Sequence, residues 1–175
     1  MADKDVLYHE VLEALQAGGC ALCRLAYRAS DSYLNALLHE GVTDVKLREE
    51  LRAARGVCHR HATQLTAKRG AVLGTAIVYR DVINTLTKIL DAEQEPAPGL
   101  LGVLGRRSAQ ARGQAAARRV IGWQATAWRK LRGELDELIR KHDHRFRAER
   151  ITDAESDAWL RAVAAVVGRI EPPAD

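Results

Sequence analysis

Aromatic residues are scarce in this chain: three Trp, four Tyr and one Phe among 175 residues, or 5%. Leu, Ala and Val must therefore fill its core. Only three cysteines are present, too few for a closed set of disulfides. No apolar run reaches the roughly 18 residues that a membrane span needs. No stretch alternates apolar and polar residues with the period of a half-buried strand. No G-x-S-x-G, P-loop or H-E-x-x-H signature occurs, and no E-x-x-H pair of the kind that builds a di-iron bundle. An enzyme is not expected on these grounds. Charge is nearly balanced, 27 basic against 23 acidic residues for a net +4, which permits an anionic partner without demanding one.

Helical spacing recurs along the whole chain. Val6, Leu7, Val11, Leu12 and Leu15 form one apolar stripe, which Gly18-Gly19 stops. Leu22, Leu25, Ala26, Ala29, Tyr33, Leu37 and Leu38 form a second, broken near Gly41. Thr43 or Asp44 can cap a short third helix to about Arg55. A long helix is then expected from about His59 to Asp91, with Gly70 and Gly74 on one face for close packing or a backbone-lined slot. "EQEPAPGLLGVLG" (93–105) reads as a linker, followed by a basic helix from about Arg106 to Arg147. Thr152 and Glu155 have capping-box spacing ahead of a last helix with Trp159, Val163, Val166 and Val167 on its apolar face. The expectation is an all-α fold of about six helices in an irregular bundle. Its parts would be a helical module over 1–92, a linker over 93–106 and helices over 107–175, all sharing one core. The charged, amphipathic start is unlike a signal peptide, and reduced cysteines suit a cytoplasmic protein.

All three cysteines fall in two short motifs, "GGCALC" and "RGVCHRH". Cys20 and Cys23 lie at a helix start after glycine, and Cys58 and His61 repeat that offset and setting. A turn brings residues three apart to one side, so each pair can bind one ion. Together the pairs make a Cys3His set suited to tetrahedral Zn²⁺, and a helix N-terminus favours the thiolate form. Four protein ligands leave no open position, which is the pattern of a structural ion. An iron–sulfur cluster with one His ligand competes. A redox dithiol, simple burial, and His59 in place of His61 are the remaining alternatives.

With these motifs, "GAVLGTAIVYRDVI" and "RKHDHRF" in hand, the chain resembles a bacterial family catalogued as a domain of unknown function, number 6062. Its members carry C-P-x-C, then G-F-C-x-x-H, then a G-x-x-L-G-x-A helix. The matching positions here are Cys20, Cys23, Gly56, Cys58, His61, Gly70 and Gly74. The likeness covers most of the chain, clearest in the first 90 residues and over 139–168. Longer relatives carry a second cysteine module that this chain, with no cysteine after Cys58, lacks. The resemblance implies the metal ligands and supplies no activity.

Two further segments draw notice. His142, Asp143 and His144 read as a solvated helix end, with a second metal or phosphate site as the alternative and Asp143 able to pair with an arginine. Arg106, Arg107, Arg112, Arg118, Arg119, Arg129, Lys130 and Arg132, interleaved with Trp123 and Trp128, make a basic stretch. It reads as a solvated face over core tryptophans, or as a grip on nucleic acid or an anionic protein. The functional expectation is a zinc-stabilised binding or adaptor protein. The alternatives are a nucleic-acid-binding regulator and a thiol-based redox or metal sensor.

Overall fold

The computed structural model describes residues 6–94 and 109–169, with side chains over 6–92 and 117–169. The described residues form eight α-helices and two 3₁₀ turns, with no strand. In chain order they are α1 (Val6–Gln16), α2 (Ala21–His39), a 3₁₀ turn (Gly41–Thr43), α3 (Val45–Ala54) and α4 (His59–Thr66). After these come α5 (Ala71–Gln94), α6 (Ala109–Lys141), a 3₁₀ turn (His144–Phe146), α7 (Asp153–Ser156) and α8 (Ala158–Val167). The fold is all-α, as expected.

Helix α5 is the hub. It packs along α6 and also meets α2, α3, α4 and α8. The core fills with aliphatic side chains at helical spacing: Leu34, Leu37 and Leu38 from α2, and Leu131, Leu135 and Leu138 from α6. Tyr79 and Ile83 of α5 lie between them, fully buried. Val163 of α8 is buried too, with Trp159, Val166 and Val167 packed partly against the core.

Four helix expectations need correction. The long helix from His59 to Asp91 is two helices, because Gly70 adopts φ +73° and turns the chain between α4 and α5. Gly70 therefore makes a turn, while Gly74 alone performs the packing role. A Cβ there would lie 2.9 Å from both Cδ2 and the backbone oxygen of Leu38. The last helix is likewise interrupted. Thr152 and Glu155 do form the capping box, but it opens a four-residue α7, and Asp157 precedes a separate α8. The basic helix ends at Lys141, before the 3₁₀ turn.

The apolar stripe of α1 is the fourth correction. Only Ala14 is buried there, while Val6, Leu7 and Leu15 are each more than 60% exposed. Leu22 and Tyr33 of α2 are exposed as well. The reason is topological: among the described residues α1 packs against α2 and no other element, and only the C-terminal half of α2 enters the core. Helix α1 and the front of α2 form an arm that is mostly exposed among the described residues. Most of the expected linker, 95–106, lies outside the described residues, and 93–94 end α5.

Candidate metal centre

Both cysteine motifs adopt the same local geometry. Cys20 is the N-cap of α2, and Cys23 stands three residues into the helix; Cys58 is the N-cap of α4, and His61 stands at the same offset. Each N-cap has extended backbone and follows a turn of positive φ. Gly18 and Gly19 provide the turn in one case, Arg55 and Gly56 in the other. Those glycines have a definite task, since left-handed backbone strains most other residues.

Each pair is closed. The Cys20 sulfur accepts from the Cys23 backbone N–H at 3.5 Å, in the place a Ser or Asp cap would fill. Cys58 Sγ lies 3.4 Å from His61 Nδ1. Backbone and side-chain hydrogen bonds from Cys23 draw the Cys20 thiol below its ordinary value. Cys23 moves the other way, because it donates to the Cys20 sulfur and feels that negative charge. All three cysteines are exposed.

The two pairs sit at the same end of neighbouring helices. Ser30 Oγ on α2 lies 3.2 Å from Gln64 Oε1 on α4, and one residue on, Asp31 holds Lys68 at 2.6 Å. Near the helix starts, Cys23 feels the positive charge of Arg60. Residue numbers thus rise together along both helices, so they run in the same sense, with both cysteine N-caps at one end. The four donors are not gathered into one cluster: among the described residues, no group of three or more His, Cys, Asp and Glu is placed to hold an ion. The structure contains two separate donor pairs.

The body of the protein supports the Cys58–His61 pair. The Tyr79 ring lies under the Gly56 turn, with its carbons and oxygen 3.5–3.6 Å from where a Cβ would be. Burial pushes the Tyr79 hydroxyl up to about 12, although the Val57 backbone pulls it down; the hydroxyl closes no hydrogen bond of good geometry. Beside Cys58 opens a hollow of about 440 Å³ between the α3–α4 turn, Trp128 and the end of α8. His59 is occupied elsewhere: its Nε2 lies 3.0 Å from the Arg169 carbonyl, tying α4 to the end of α8. Of the two histidines in "CHRH", His61 is the one facing a cysteine.

The other sequence candidates separate. His142 turns its Nδ1 back to the Leu138 carbonyl at 2.8 Å. His144 is exposed beside Asp143, which caps the following 3₁₀ turn and pairs with Arg145 at 2.7 Å. That arginine holds the Asp143 carboxyl below its usual range. The basic stretch is partly neutralised along α6, where Arg129 pairs with Asp91, while Arg132 donates to the uncharged Asn84 at 2.9 Å. Arg118 and Arg119 are exposed; Arg106, Arg107 and the side chain of Arg112 lie outside the described residues. Trp128 packs on the core, whereas Trp123 is 76% exposed. Sequence reasoning missed one charged cluster, Arg48, Arg52 and Arg80 around Asp81. Its visible trace was the i, i+4 spacing of Arg48 and Arg52.

Fold and site together define a class: an all-helical protein with Cys-x-x-Cys and Cys-x-x-His pairs at two helix starts. The chain belongs to the family of unknown function DUF6062, whose model matches residues 4–120. It is also similar to an uncharacterised 23.9 kDa protein in the xynA 3′ region of Caldicellulosiruptor sp. (strain Rt8B.4), 35% identical over 75 residues. That match covers 43% of this chain and 36% of the relative, so it spans about a third of the relative's length. No solved structure matches the chain. No helix among the described residues is long and apolar enough to cross a membrane.

Proposed function

We propose that this protein is a helical binding module in which one Zn²⁺, held by Cys20, Cys23, Cys58 and His61, clamps the α1–α2 arm to the body. The observation that carries this reading is the shared register of the two motifs. Both place a donor at the N-cap and another three residues on, at the same end of two helices running in the same sense. Soft sulfur and imidazole donors, all reachable from solvent, suit zinc. The two donor pairs need only the approach of two helix starts to complete a tetrahedral set. Filled in this way, the ion has no open position, so its contribution is stability rather than chemistry. It would close a loop of about forty residues, and ion binding would stabilise the fold directly.

Elemental analysis of the full chain, purified without added metal, tests this. About one zinc per chain, lost in Cys58→Ser, supports the clamp. Iron with acid-labile sulfide would replace the ion by a cluster, and a metal-free, fully folded protein would refute the site.

One observation favours a second reading, a thiol sensor: Cys20 is exposed, its thiol is drawn below the ordinary value, and a partner thiol is adjacent. The two readings part on labelling. Cysteines locked on zinc react slowly with a thiol probe until a chelator is added, whereas sensor cysteines react fast in the protein as isolated.

A further inference from the structure

Three guanidinium groups converge on one carboxylate at the α3–α5 junction. Asp81 Oδ2 accepts from Arg48 Nε at 2.9 Å, from Arg48 Nη2, and from Arg52 Nη1 at 3.3 Å. Its other oxygen accepts from Arg80 Nη2 at 3.2 Å. Asp81 is only 15% exposed and is fully engaged by these contacts. A carboxylate offsets a single positive charge, so the convergence leaves an excess. The nearest other acids are Glu49, 4.0 Å from Arg52, and Asp136, 3.5 Å from Arg80. Lys88 stands two turns along α5 from Asp81, exposed and with no acidic partner among the described residues. With Arg132 included, five cations face three carboxylates.

These charges line a shaped space. A groove of about 670 Å³ runs between α3 and α5, lined by Arg48, Arg52, Asn84 and Lys88 and by the apolar Ile89 and Ala92. A smaller hollow of about 230 Å³ continues across Asp81 and Asn84 to Arg80 and Arg132. Asp81 fixes the planes of Arg48 and Arg52 before any ligand arrives, so little side-chain freedom remains to be lost on binding. Each guanidinium carries five N–H donors and spends at most two on Asp81, so donors remain for a ligand.

We propose that this groove binds a small molecule bearing a phosphate dianion, its oxygens met by Arg52, Lys88 and the spare donors of Arg48, its apolar body against Ile89. Forked guanidinium donors match phosphate oxygens, and a dianion answers an excess of two positive charges. The groove follows α3, which has ten residues and a length of about 15 Å, with Ile89 and Ala92 in its lining. That shape suits a monoester better than a polymer backbone. The site goes beyond the zinc reading and does not depend on it, since none of its residues is a proposed zinc ligand.

The test is calorimetric titration of the full chain with AMP, glucose 6-phosphate and inorganic phosphate, with adenosine as the uncharged control. The variants are Lys88→Gln and Lys88→Glu, whose unpaired, exposed side chain makes them neutral to folding, checked by thermal melting. The expected result is saturable binding of at least one phosphate probe and none of adenosine. That binding should weaken severalfold in Lys88→Gln and tenfold or more in Lys88→Glu. A preference for AMP over inorganic phosphate identifies a nucleotide-like body, and equal affinity identifies the phosphate alone as the ligand. No binding of any phosphate probe at millimolar concentration overturns the proposal, as does binding indifferent to Lys88→Glu. Tighter binding of mixed-sequence DNA with a steep salt dependence would overturn it in favour of a polymer surface.

Discussion

Gly74 and Gly133 both lie inside helices, and the structure sets opposite signs for replacing them with alanine. At Gly133, nothing lies within 4 Å of a new Cβ. Gly133→Ala therefore gains helix propensity without contact, for a stabilisation of up to about 1 kcal/mol. At Gly74, the new Cβ would meet Leu38 at 2.9 Å twice, once at a side-chain methyl and once at the backbone oxygen. The methyl can rotate away, but the carbonyl belongs to the last turn of α2 and moves only with that helix. Overpacking of this kind costs about 1–3 kcal/mol. Set against the propensity gain, Gly74→Ala should destabilise by up to about 2 kcal/mol. In a chain of this size each kcal/mol moves the melting temperature by roughly 2–4 °C. Urea denaturation and thermal melting of the two variants side by side give the answer. If Gly74→Ala melts at or above Gly133→Ala, the close approach of α5 to α2 is not a real constraint and the argument fails.

Thr75 is fully buried with its hydroxyl unpaired among the described residues, so Thr75→Val should raise stability by about 1 kcal/mol in denaturant titration. Lys141 and Glu155 form an ion pair at 2.7 Å with side chains 9% and 12% exposed, joining the end of α6 to the cap of α7. Hydrogen bonds from Lys141 and from the Thr152 backbone lower the Glu155 carboxyl from 4.5. Its contribution is therefore complete above that pH and fades as the pH falls below it; an acid melting series should show a shallower loss in Glu155→Gln than in the parent. Cys58→Ser should lower the melting temperature of the zinc-loaded chain markedly, and a chelator should lower the parent to the same value while leaving the variant unmoved.

Fold class was legible because apolar residues recur at helical spacing and no segment competes with a strand pattern. The break at Gly70 was not, because glycine serves both a left-handed turn and a close helix contact; only the neighbouring backbone decides which. The α1 stripe looked like core for a related reason. Periodicity reveals that a helix has an apolar side, and tertiary arrangement alone reveals whether anything lies against it. At the candidate metal centre, the pairs within each motif followed from spacing. The common direction of α2 and α4 did not, since it rests on contacts such as Ser30 with Gln64, 34 residues apart. The cluster around Asp81 escaped notice for the same cause, two of its three arginines lying 33 and 29 residues before it in α3.

The attachment of α1 through α2 alone, among the described residues, has a consequence for how the molecule breathes. Helix α1 has 11 residues, too short to persist in water without a neighbour. Its opening exposes little that is now buried and disturbs no contact of α5. Amide protons of α1 should thus exchange through a local opening far cheaper than global unfolding, while those of central α5 wait for the whole domain to come apart. An ion joining Cys20 and Cys23 to α4 would fasten the start of α2, leaving α1 free to open while the front of α2 exchanged with the body.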